Sequence, residues 1–227
     1  MRGLTVVFDL DGTLVDTAPD LTGTLNYVLA QIGHGPVAVE DVRPFVAYGG
    51  RPMLKNILER EGDDASDARV DELLKIYLAH YGENLANASR PYPGVLDCLE
   101  WLKSSGARLA VCTNKYEHLT FSLLDRLRLE RYFHAIAGSD TFEVRKPDPG
   151  HLTRAIEMAG GRADYAVMVG DTETDIATAK AAGVPVIAVT FGYSDVHVEN
   201  FEPDALIGHF REFNEQITII AERLAKA

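Results

Sequence analysis

Cysteine is scarce: Cys98 and Cys112 are the only two in 227 residues, too few for a framework of bridges and in keeping with a reducing compartment. No apolar run approaches the roughly 18 residues of a membrane span. The opening run Leu4-Thr5-Val6-Val7-Phe8 stops at Asp9 and is too short for a secretory h-region, so a soluble, cytoplasmic protein is expected. Positive charge is also in short supply. Lys plus Arg number 22 against 34 Asp plus Glu, a formal charge of −12, which argues against the basic stripe of a nucleic-acid surface. An anionic substrate stays possible, because a bound divalent cation reverses the local field. Internal repeats and low-complexity segments are missing. The seven histidines show no metal-ligand spacing, and His134 and His151 read as surface or helix-edge residues. Cys112 reads as a small core residue.

What is present is an alternation. Short apolar, β-rich runs at residues 4–8, 108–112, 135–137, 166–169 and 186–189 fit strands buried on both faces. Helical patterns at 95–105, 119–127, 152–158 and 175–182 lie between them, with Gly106 and Gly183 placed to end two of these. Strands alternating with helices predict right-handed crossovers and a doubly wound, mainly parallel α/β sheet. From Asp16 to Ala88 the alternation stops. Leu21, Leu25, Val28, Leu29 and Ile32 form one helical stripe, and Val70, Leu73, Leu74, Tyr77, Leu78 and Tyr81 another. The expected division is an α/β core of residues 1–15 and 89–227, with an inserted helical cap of residues 16–88.

In an open α/β sheet, ligands bind at the carboxyl ends of the strands. Asp9-Leu10-Asp11-Gly12-Thr13 follows the first strand and Thr113-Asn114-Lys115 the second, while Lys146 lies in the loop after the third. Gly170-Asp171-Thr172-Glu173-Thr174-Asp175 follows the fourth. Asp9 and Asp11 flank one residue, so in strand geometry their side chains would point the same way. Two such carboxylates repel unless a cation joins them. Magnesium, which prefers carboxylate oxygens, waters and phosphate, fits that need. Asp171 would add an oxygen from another strand end, and Asp175, one helical turn on, could hold Asp171 or a metal-bound water.

In their order these segments resemble the four motifs of the haloacid-dehalogenase-like superfamily of phosphotransferases. Asp9-Leu10-Asp11-Gly12-Thr13-Leu14-Val15-Asp16-Thr17 is similar to the first, and Thr113-Asn114, Lys146-Pro147, and Gly170-Asp171 with Asp175 to the others. The helical insertion sits where that family's first type of cap belongs. The resemblance implies a nucleophile at Asp9 that becomes an aspartyl phosphate and a general acid and base at Asp11. It also implies phosphoryl contacts from Thr113, Asn114 and Lys146, and Mg2+ held by Asp9, Asp171, Asp175 and, through its backbone carbonyl, Asp11. An acid/base carboxylate at Asp11 disfavours the dehalogenases themselves. Within the superfamily the motifs are most similar to phosphoglycolate phosphatases, which implies hydrolysis of 2-phosphoglycolate to glycolate and phosphate. The alternatives are an isomerase resembling β-phosphoglucomutase, a pyrophosphatase or nucleotide phosphatase, or a silent interaction protein on the same fold.

Gly49-Gly50-Arg51 in the insertion either joins two cap helices or closes over the site, where Arg51 would meet a carboxylate of the substrate. The partner expected is a small phosphorylated metabolite, with neither nucleic acid nor membrane, for a monomer or a homodimer.

Overall fold

The computed structural model describes residues 1–46 and 48–226. Strand β1 (Thr5–Phe8) leads to a short β2 (Val15–Asp16), then to helices α1 (Ala18–Gln31), α2 (Val39–Val46), α3 (Gly50–Glu61) and α4 (Asp67–Asn84), and to a short β3 (Arg90–Pro91). Helix α5 (Val95–Ser104) and β4 (Arg108–Cys112) follow, then α6 (Glu117–Arg126), β5 (Ala135–Ala137), α7 (Pro149–Met158) and β6 (Ala166–Gly170). Helix α8 (Glu173–Ala181), β7 (Val186–Val189), β8 (Ala205–Ile207) and α9 (Phe213–Leu224) complete the chain.

Six strands form one sheet in the order β5-β4-β1-β6-β7-β8, and every neighbouring pair is parallel. This is the doubly wound α/β sheet expected. The runs became strands because both faces are covered: all residues of β1, β6 and β7 are buried. Each fully enclosed Val, Leu or Phe side chain stabilises by roughly 1.5–3 kcal/mol over its exposed state. β1 lies at the centre and the chain winds outward from it in both directions, so the switch in strand order falls beside β1. Crevices at such switch points receive ligands.

Two features escaped the sequence reading. β8 is a three-residue strand with only Ile207 buried, too short and too exposed to carry a period. The β2–β3 pair, Val15 opposite Pro91 and Asp16 opposite Arg90, holds together the two ends of the helical segment and is likewise too short to show a pattern.

Of the predicted stripe on α1, Leu21, Leu25, Val28 and Leu29 are buried. On α4 the buried stripe is narrower than expected, being Val70, Leu73, Tyr77 and Tyr81, with Leu74 and Leu78 half-buried. Two buried polar knots fasten the helices to the sheet. Asp20 of α1 accepts from Ala88 N (2.7 Å), Ser89 N (2.8 Å) and Ser89 Oγ (2.5 Å). The Tyr193 hydroxyl accepts from Thr17 N (2.6 Å) and Ala18 N (2.9 Å) and donates to Asp16 Oδ1 at 2.7 Å, serving as the N-cap that no side chain of α1 provides. Asp16 is in turn forked by Arg43 of α2 at 3.1 and 3.3 Å. Among the described residues, no helix is long and apolar enough to cross a membrane.

Candidate active site

Asp9 leaves the end of β1 with its N–H bonded to Val169 O at 2.9 Å, and its carboxylate is buried. Lys146 Nζ lies 2.8 Å from Asp9 Oδ1 and 2.5 Å from Asp175 Oδ1. Lys146 is thus shared between two buried carboxylates. Burial, only partly offset by Lys146 and reinforced by Asp175 and Asp11, pushes the Asp9 carboxyl up to about 6. Asp171 is raised well above the usual carboxylate range, by burial first and then by Asp175 and Asp9.

Asp171 is held from two sides, by Thr13 Oγ1 donating to Oδ1 and Tyr193 N donating to Oδ2, both at 2.7 Å. The chain can pack this closely because residues 12 and 192 are glycines. A Cβ on either would collide with the Asp171 carboxylate, and Gly12 also turns with φ +87°. Asp175 caps α8 in a box with Thr172. Its Oδ2 accepts from Thr172 Oγ1 (2.7 Å), Thr172 N (3.1 Å) and Asp171 N (3.2 Å), which leaves Oδ1 for Lys146. The capping and the functional readings of Asp175 therefore coexist.

Ligand atoms of Asp9, Asp171 and Asp175 lie within 4.8 Å of one another. Three carboxylates against one ammonium leave negative charge uncompensated in a buried volume. Such a donor set suits a hard divalent cation.

Asp11 is not one of the three residues of this cluster, although its charge helps to raise the Asp9 carboxyl. Its carboxylate instead takes Lys115 Nζ at 2.9 and 3.0 Å and Thr17 Oγ1 at 2.6 Å. Thr113 is buried at the end of β4, with its N–H on Ala137 O at 3.0 Å. Asn114 spends its amide on the Lys146 carbonyl at 3.0 Å. His151 was read as an ordinary residue but is fully buried. Its Nδ1 accepts from Lys146 N at 3.2 Å and its Nε2 lies 3.0 Å from Gly138 O, so the ring fixes the lysine loop from below. Burial, then the Lys146 charge, pushes His151 down to about 4, which keeps it neutral. Cys112 is buried too, and its thiol is pushed up to about 12 by that burial, so it stays protonated in the core.

The Gly49-Gly50-Arg51 segment opens α3, with Gly49 at φ +89° as its N-cap. Arg51 is not brought to the carboxylate cluster. Its fork lies across Asp71 and Asp67 of α4, each at 3.0 Å, because two acids one helical turn apart match a guanidinium better than open solvent does. The neighbouring Tyr48 hydroxyl reaches the Asp195 carboxylate at 3.3 Å. Lys115, Tyr193 and His151 were missed as site residues. The strand-end rule placed Lys115 in the loop after β4 without giving it a role; Tyr193 and His151 carry no local signal.

The chain matches the family model described as haloacid dehalogenase-like hydrolase over residues 6–189. It is 51% identical over 223 residues to a phosphoglycolate phosphatase of Mesorhizobium japonicum, covering 98% of this chain and 96% of that protein. A phosphoglycolate phosphatase of Agrobacterium fabrum is 46% identical over 204 residues, 90% of this chain and 88% of the relative. Among solved structures, a predicted phosphoglycolate phosphatase from Haemophilus somnus superposes with a TM-score of 0.87 at 28% identity, covering 96% of this chain and 98% of the other.

Proposed function

The chain belongs to the haloacid dehalogenase-like hydrolases, and from that premise we propose that it is a magnesium-dependent phosphatase acting on 2-phosphoglycolate through an aspartyl phosphate. The observation that carries this reading is the meeting of Asp9, Lys146, Asp171 and Asp175 at the carboxyl ends of adjoining strands, in a buried volume rich in negative charge. The identity to two relatives named for that substrate supports the choice of ester.

Asp9 attacks phosphorus and carries the phosphoryl group; a carboxyl pushed up to about 6 needs a cation beside it to be a fully ionised nucleophile in the neutral range. Asp9, Asp171 and the Asp11 backbone carbonyl would hold magnesium, which would supply positive charge beside the transferring phosphoryl group. Lys146 offsets charge on the transferring group, and Asp175 aims that lysine through their 2.5 Å contact. The Thr113 hydroxyl holds a phosphoryl oxygen. Asn114 acts indirectly, by fixing the backbone of Lys146. Asp11 gives a proton to the leaving glycolate oxygen and then takes one from the water that cleaves the intermediate. Residues 16–88 serve as the cap over a core made of residues 1–15 and 89–227, tied to it by Asp20 and Tyr193.

The test is a steady-state panel of phosphate monoesters with magnesium present. The highest kcat/KM is expected on 2-phosphoglycolate; equal or higher values on sugar phosphates or pyrophosphate would remove the assignment. In the same assay Asp9→Asn should lose at least about 10³-fold in kcat.

A further inference from the structure

The carboxylate of the substrate has no obvious receiver once Arg51 is spent on α4. We propose that Lys115 reads it, and that it does so by exchange: Lys115 holds Asp11 in the resting enzyme and transfers to the substrate carboxylate, freeing Asp11 for proton transfer. The proposal rests on the phosphoglycolate reading above.

Four observations meet here. Lys115 Nζ binds both oxygens of Asp11, at 2.9 and 3.0 Å, and Thr17 Oγ1 holds Oδ1 as well. In this state the ammonium engages both oxygens and favours the ionised carboxylate over the protonated acid that a leaving group needs. The position is also right: Asp11 must reach the ester oxygen, so an ammonium bound to Asp11 lies on the leaving-group side. In 2-phosphoglycolate only one methylene separates that oxygen from the carboxylate. Lys115 further shares a turn with Thr113, its N–H donating to Thr113 Oγ1 at 3.3 Å.

The third observation is enclosure. The Lys115 side chain is only 7% exposed, and its Nζ faces the Tyr81 ring of α4, 4.8 Å from the centroid. Tyr77 stacks on Tyr81 with centroids 6.2 Å apart. An ammonium shut between a carboxylate and an aromatic wall attracts an anion more strongly than one in water. Taking Asp11 away without supplying a second anion would strand it, and a buried charge without a partner is strongly disfavoured. Esters with a neutral leaving group therefore leave the Asp11–Lys115 pair closed.

The fourth observation is an unused donor. The Tyr81 hydroxyl is buried with no hydrogen-bond partner among the described residues, and it feels the Asp11 charge. A second carboxylate arriving at Lys115 would give it an acceptor. Substrate selection then comes from the core's second motif loop completed by the cap's tyrosines, and the loop at residues 49–51 takes no part in it.

The experiment measures kcat/KM on 2-phosphoglycolate and on ethyl phosphate, which replaces the carboxylate by a methyl group. In the wild type the ratio should favour phosphoglycolate strongly. In Lys115→Met it should fall at least about 30-fold, through a lower kcat and a higher KM on 2-phosphoglycolate, whereas Lys115→Arg should retain most of it. A Lys115→Met enzyme whose ratio stays within about threefold of wild type overturns the exchange while leaving the phosphatase assignment standing. A wild type with no preference for phosphoglycolate instead removes the assignment, and this proposal with it. Should the methionine variant fail to fold, the ratio is read on Lys115→Arg and Lys115→Gln, and equal ratios in those two overturn the proposal.

Discussion

The strand ends and the junction with the cap helices both hold charged groups close together, but they balance them differently. At the junction the charges pair off: Asp16 with Arg43 and Asp11 with Lys115. At the strand ends three buried carboxylates share one buried lysine. A paired set closes on itself and serves structure or selection. A set left with surplus charge, out of water, is unstable until something positive arrives. On the proposed reading the surplus marks the phosphoryl-transfer centre, while the Asp11–Lys115 pair holds the proton-transfer group until substrate arrives.

The largest effect that could break this contrast comes from Lys146→Met. Loss of the one ammonium in the strand-end cluster should lower kcat by about 10²–10³-fold, read by steady-state kinetics with saturating magnesium. A variant within tenfold of wild type would mean that this lysine merely balances charge, like those at the junction.

A smaller, pH-dependent effect follows from the neutral ring beneath that lysine. His151 takes a proton near 6.5 when unfolded but near 4 when folded. Between those values the unfolded chain binds more protons. The stability this group contributes is therefore full above about 6.5 and is lost as the pH falls towards 4. Denaturant titrations at pH 7, 6 and 5 should show a shallower acid loss in His151→Asn than in wild type. Parallel losses in the two proteins would mean that the ring is not held neutral by its buried place between Lys146 N and Gly138 O.

The smallest effect is expected at Arg51→Ala, which breaks an exposed fork on the cap surface. kcat/KM on 2-phosphoglycolate should change by less than about threefold. A larger loss would mean that Arg51 leaves α4 to meet substrate, and that the junction is less closed than its pairings indicate.

Much of this was legible beforehand because it rests on local patterns. The strands at 108–112, 135–137 and 186–189 coincide with the apolar runs, since a strand buried on both faces must be apolar throughout. The carboxylates and lysine at the strand ends follow from the same rule, because polar residues can begin only where the sheet's cover stops. The partners of Asp11, Lys115 and Thr17, carry no such local signal. The sequence left both readings of Arg51 open because its partners, Asp67 and Asp71, lie on another helix.

By itself, the sequence determined five of the six strands of the sheet, the helices of the insertion and the four loops proposed to bear the chemistry, because hydrophobic period and strand-end polarity are properties of neighbours along the chain. Only the tertiary structure decided which charged group meets which: Lys146 with Asp9 and Asp175, Lys115 with Asp11 and the face of Tyr81, His151 beneath the lysine loop, and Tyr193 between Asp171 and the start of α1. Those pairings join residues from 5 to 176 positions apart, and a charge finds its partner through space and dielectric, which no local pattern encodes.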